Sequence, residues 1–159
     1  MYESVETAYA RAAAACARRE YCRADWLRKL AAGGLEDAAC RQVVERLVSE
    51  GFIDELRYAR AFVHDKAAYN RWGMLKIKQA LRLKGLSAEV VEAALGTLET
   101  ENSEQTLREL LQAKMRGIRA ASAYELRGKL MRFAAGRGFE PDCIFRVIDE
   151  LEIPGYGED

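Results

Sequence analysis

One histidine, four cysteines and 25 lysines and arginines are the residues of this chain on which chemistry or binding could rest. His64 stands beside Asp65 on a helical stretch, with no nucleophile spaced to be oriented by it, so it reads as a surface or interface histidine. Cys16, Cys22, Cys40 and Cys143 form neither a C-x-x-C pair nor the spacing of a disulfide framework. They read as small buried hydrophobes of a reducing cytoplasm, and neither a metal nor another cofactor is expected. Glu89 with Glu92, and Asp149 with Glu150 and Glu152, bring carboxylates together at helical spacing, but such residues fit the wet face of an amphipathic helix. The chain carries no phosphate-binding Gly-Lys loop and no dinucleotide fingerprint after a strand. A non-enzymatic protein is expected.

The basic residues are the better candidates. Lysine plus arginine equals aspartate plus glutamate over the whole chain, so net charge offers no argument for nucleic acid, but the distribution does. Residues 54–85 hold eight basic against three acidic side chains, as do residues 103–138; residues 86–102 and 139–159 are acidic. The middle block contributes Arg57, Arg60, Arg71, Lys76, Lys78, Arg82 and Lys84 as candidates for binding DNA or an acidic surface. The later block adds Lys114, Arg116, Arg119, Arg127, Lys129 and Arg132. In the helix expected from Met74 to Lys84, the stripe Met74, Ile77 and Leu81 faces inward, which turns Lys76 outward and puts Lys78 and Arg82 one turn apart.

The elements that must hold these residues follow from an internal repeat. Trp26, Leu30, Gly34, Leu35, Ala39, Val43, Val44 and Leu47 recur 51 residues on as Ile77, Leu81, Gly85, Leu86, Val90, Ala94, Leu95 and Leu98. A further shift of 53 gives Leu130, Ala134, Gly138, Phe139, Cys143, Val147, Ile148 and Leu151. Each set is a helix ended by glycine, a tight turn led by an apolar residue, and a second amphipathic helix. A further helix precedes each pair, at about 4–18, 55–70 and 103–120, and Tyr9-Ala10-Arg11-Ala12 recurs as Tyr58-Ala59-Arg60-Ala61. The pattern predicts an all-α chain of three tandem three-helix repeats, at 1–53, 54–101 and 102–159, stacked in an elongated array with scope to curve. Thr97 to Gln105 is the expected flexible linker, and the tail after Leu151 is expected to fray. No apolar run approaches the length of a membrane span.

The first and second repeats meet at a hinge. Gly51 is placed to take a left-handed conformation and stop one helix, Phe52 to fold back on it, and Asp54 to cap the next. Ile53 and Tyr58 fall at the positions of a hydrophobic staple.

The hinge run, Gly51-Phe52-Ile53-Asp54-Glu55-Leu56-Arg57-Tyr58-Ala59-Arg60-Ala61-Phe62, resembles the signature of the RecX family, regulators of the RecA recombinase. Arg19-Glu20-Tyr21-Cys22-Arg23 upstream is similar to another family segment, as are Trp72-Gly73, Lys76-Ile77, Leu81 and Lys84-Gly85-Leu86 downstream. Cys22 stands where the family usually has a capping serine, and Trp26 where leucine is usual, which implies a weaker cap on the second helix. The resemblance implies tandem three-helix repeats and a cytoplasmic, monomeric, non-enzymatic protein. It implies that the protein binds the RecA filament, and DNA within it, and modulates, usually by inhibition, ATP hydrolysis, strand exchange and co-protease action in recombinational repair and the SOS response. The alternative is an autonomous nucleic-acid-binding helical module.

Overall fold

The computed structural model describes residues 1–98, 100–151 and 153. Among the described residues there are nine helices and no strand: α1 (Val5–Cys16), α2 (Arg23–Ala32), α3 (Asp37–Ser49), α4 (Glu55–Ala68), α5 (Met74–Leu83), α6 (Ala88–Leu95), α7 (Thr100–Gly117), α8 (Ala123–Gly136) and α9 (Pro141–Glu150). They fall into three successive trios, as the repeat predicts. The tail expected after Leu151, apart from a buried Ile153, lies outside the described residues.

Glycine sets the rhythm. Gly34, Gly51, Gly85 and Gly138 all have positive φ, between 81° and 97°, a conformation that costs other residues strain. At each, the amide of the following apolar residue reaches back to a carbonyl five residues earlier: Leu35 to Leu30, Phe52 to Leu47, Leu86 to Leu81 and Phe139 to Ala134. This closure satisfies helix-end carbonyls and drives an apolar side chain back toward the helix it ends. The aligned stripe is buried in register. Trp26, Ile77 and Leu130 are buried, as are Leu30, Leu81 and Ala134, then Val43, Ala94 and Val147, then Val44, Leu95 and Ile148.

The described chain divides into two compact units, one of Met1–Phe62 with Leu81–Ala94, the other of Val63–Ala80 with the chain from Leu95 onward. The middle repeat therefore contributes to both. In the first unit, α1 and α2 pack on α3 around Ala8, Tyr9, Ala12, Trp26, Leu30, Val43, Val44, Leu47 and Ile53. In the second, α7, α8 and α9 pack on one another around Leu107, Leu111, Leu130, Ala134, Phe139, Ile144, Val147 and Ile148.

One expectation is corrected. The segment from Thr97 to Gln105 is not a flexible linker throughout, because α7 begins at Thr100. Its polar opening turn carries no apolar period of its own, but the helix is anchored further on by fully buried Leu107 and Leu111, and helix continuity needs no apolar residue in each turn. At the head of α2 the buried Asp25 carboxylate accepts from the Cys22 amide at 3.2 Å, the half of a capping box that the third helical residue supplies.

Candidate functional site

The hinge is built as its residues predict, and Arg57 completes it. Gly51 takes φ 81°, and the Asp54 carboxylate accepts from the Arg57 amide at 3.0 Å at the head of α4. Ile53, Tyr58 and Ala59 are buried, and the Phe52 ring meets the edge of Tyr9 with centroids 6.3 Å apart. Glu55 reaches across the unit to accept from the Arg23 amide at 3.2 Å, the head of α2. The Arg57 guanidinium donates to Glu20 at 2.6 Å and to the carbonyls of Gly51 at 3.1 Å and Phe52 at 3.4 Å. Its donors are used on the turn itself, so this arginine is a clamp of the hinge.

Lys84 is likewise engaged inside its unit. Its ammonium donates at 3.0 Å to Asp25, a carboxylate only 6% exposed, and it also interacts with the buried Tyr58 hydroxyl. Burial alone would push the Asp25 carboxyl up, but the Lys84 and Cys22 hydrogen bonds outweigh it and hold the group below its ordinary value of 3.8. The hydrogen bond to Asp25 raises Lys84 in turn, and burial raises Cys22 and Tyr58. This pair ties α2 of the first repeat to the end of α5 in the second. Its sequence signal was local: Asp25 stands three residues after Cys22, the spacing of a capping box, while its cation lies 59 residues away.

The corresponding joint in the second unit uses different chemistry. Arg137, aligned with Lys84, accepts through its carbonyl from the amide of Gly73, aligned with Cys22, at 2.8 Å. Gly138 accepts from the Leu75 amide at 2.9 Å, and the Arg137 guanidinium donates to the Asn70 carbonyl at 2.9 Å. Backbone lies on backbone here: a Cβ on Gly73 would overlap Gly138 and Phe139, and one on Gly138 would overlap the Cβ of Lys76 and stand 2.6 Å from its amide nitrogen. Lys76 is thus half-buried rather than turned outward, because the α8–α9 turn packs on its backbone and Cβ, and its ammonium lies 4.7 Å from the Trp72 ring centre.

The remaining candidates separate into engaged and open side chains. Arg71, at φ 55°, pairs with Glu109 at 3.5 Å; Arg127 pairs with Asp149 at 3.1 Å; and Lys129 donates to Glu125 at 3.1 Å and to the Arg119 carbonyl at 2.6 Å. Lys114 sits 5.0 Å from the Phe133 ring centre, and Lys78 is half-buried. Arg60, Arg82, Arg116 and Arg132 are exposed, with no ion pair or hydrogen bond among the described residues, and, after the Ala121 amide and Lys129, Arg132 draws the Glu125 carboxyl down through its charge. Arg60 and Arg82 belong to the first unit, Arg116 and Arg132 to the second. His64 is exposed, with the Tyr69 ring edge-on at 6.5 Å. Among the described residues, no group of His, Cys, Asp and Glu could hold a metal, and no helix is long and apolar enough to cross a membrane.

Two family models match the chain: the second three-helix domain of RecX over residues 54–95 and the third over 102–148. The chain is 34% identical over 139 residues to regulatory protein RecX of Xanthomonas axonopodis pv. citri, covering 87% of this chain and 84% of that one. It belongs to the RecX family. Regulatory protein RecX of Leptothrix cholodnii is 36% identical over 132 residues, covering 83% of this chain and 81% of its own. The crystal structure of RecX from Lactobacillus salivarius superposes with a TM-score of 0.79 at 19% identity, covering 92% of this chain and 96% of that one, so the RecX fold persists where sequence likeness is slight.

Proposed function

We propose that this protein binds the RecA nucleoprotein filament and modulates its activities, usually by inhibiting ATP hydrolysis, strand exchange and co-protease action in recombinational repair and the SOS response. Membership of the RecX family carries the reading, since its relatives are named regulatory proteins. Support comes from the exposed Arg60, Arg82, Arg116 and Arg132, which form no ion pair or hydrogen bond among the described residues and offer donors for phosphate or for acidic protein surface. We further propose that the protein is a cytoplasmic monomer without catalysis of its own, and that the repeats run 1–53, 54–101 and 102–159. The filament's DNA-dependent ATPase, measured with and without this protein, tests the reading. A dose-dependent change that weakens as salt rises is expected, and an unchanged rate at saturating protein would overturn it.

A further inference from the structure

We propose that the exposed face of α8 holds an unpaired base of single-stranded nucleic acid in a slot framed by Tyr124 and Arg132 over Gly128, an inference that rests on the filament reading above. Tyr124, Gly128 and Arg132 follow one another at intervals of four on α8, so they share one face. The Tyr124 side chain is 84% exposed, an apolar ring left in water that contributes nothing to the core. The Arg132 guanidinium folds back toward the N-terminus of α8 and lies 3.4 Å from where a Cβ of Gly128 would stand. It makes no ion pair or hydrogen bond among the described residues, and, after the Ala121 amide and Lys129, its charge helps hold the Glu125 carboxyl below its ordinary value. Together with Glu125, Arg127 and Met131 these residues line a hollow of about 320 Å³.

Glycine in the middle of a helix weakens that helix, and no rigid packing at the half-buried Gly128 demands it: the nearest atoms to an added Cβ belong to a flexible arginine. What glycine does provide is a close seat for the Arg132 guanidinium on the helix, one turn from the exposed Tyr124 ring. Two such flat groups suit a base, which stacks on aromatic faces and on guanidinium planes, while the donors of Arg132 remain available to a phosphate. The acidic neighbour does not oppose this, because the Glu125 carboxylate is already occupied by the Ala121 amide at 3.0 Å and the Lys129 ammonium at 3.1 Å. A duplex keeps its bases stacked on one another and gives Tyr124 nothing to receive, so single strands are preferred.

The test measures anisotropy of a labelled thymidine oligomer of about 20 nucleotides, and of a duplex of the same length, against the whole protein at low salt. The wild type should bind the single strand more tightly than the duplex. Tyr124→Ala should weaken single-strand binding about tenfold, within what one stacked base supplies, with duplex binding unmoved and Tyr124→Phe near wild type. Gly128→Leu, which fills the slot with a better helix former, should lose the same preference while its thermal midpoint stays level or rises. Equal wild-type affinity for the two nucleic acids, or variants that keep the preference, would overturn the slot. Variants that bind the oligomer normally but no longer alter the filament ATPase would also overturn it, and would make this face a protein contact. A wild type that leaves the ATPase unchanged would instead sink the filament reading.

Discussion

Replacing Lys84 by methionine keeps most of the side chain's length and removes only its charge, leaving Asp25 buried beside the Cys22 amide. Removal of one partner from a buried ion pair costs about 3–5 kcal/mol, because the other charge stays behind without compensation. Here the Lys84 side chain is 35% exposed and Arg28 stands 3.8 Å from the same carboxylate oxygen, so part of the loss is made up. About 2–3 kcal/mol remains, equivalent to roughly 5–10 °C in Tm for a chain of this size. Urea denaturation at neutral pH is the assay, with Asp25→Asn combined with Lys84→Met as the companion that removes both charges and should recover part of the loss. The pH profile adds a sign. Asp25 titrates lower in the folded protein, so its contribution is full above its unfolded value of 3.8 and fades as pH falls through the depressed one. Lys84 titrates higher when folded, so its contribution is full below 10.5 and fades above it. Lys84→Met should flatten the wild-type loss of stability at both extremes. A cost below about 0.5 kcal/mol, the range of an ordinary surface substitution, would refute the claim that this lysine serves the fold.

Alanine at Gly138 and at Gly85 should behave unlike each other although both positions have positive φ: at Gly85 the space is open and the cost is about 1 kcal/mol of strain, whereas at Gly138 overlap with Lys76 should bring the total above roughly 2 kcal/mol. Denaturation midpoints of the two variants decide it, and equal costs would show that the turn is not in contact. Cys16, Cys22, Cys40 and Cys143 are all buried, and burial raises each thiol, so a maleimide at neutral pH should label the native protein slowly and all four cysteines promptly in urea. Prompt native labelling of Cys22, which is fully buried, would show that the start of α2 opens.

The helices and their trios were legible because their signals are local: a glycine whose backbone must go left-handed, an apolar residue after it, and a stripe at helical spacing. Gly51, Asp54 and Tyr58 announce the hinge within eight residues of chain. What joins repeat to repeat was not legible, since the partner of Lys84 is set by packing and lies in another helix. Lys76 misled for the same reason: helical periodicity within α5 turns it outward, and only the approach of the Gly138 turn covers it. Arg57 was assigned to binding from its charge, while Glu20 and the two carbonyls it serves come together only once the hinge has closed. Tyr124 left no periodic trace.

The two joints differ in how many spellings they admit. A joint made of Asp25 and Lys84 is written in side chains, so a library randomised at both positions should return several working pairs, provided residue 25 keeps an acceptor for the Cys22 amide. The joint of Gly73 and Gly138 is written in main chain, where a second-site change has nothing to compensate. Randomising those two positions together should return glycine at both. Repeats grafted from a related protein should therefore be accepted at the first joint after adjustment of two codons, and at the second only when the donor brings its own pair of glycines.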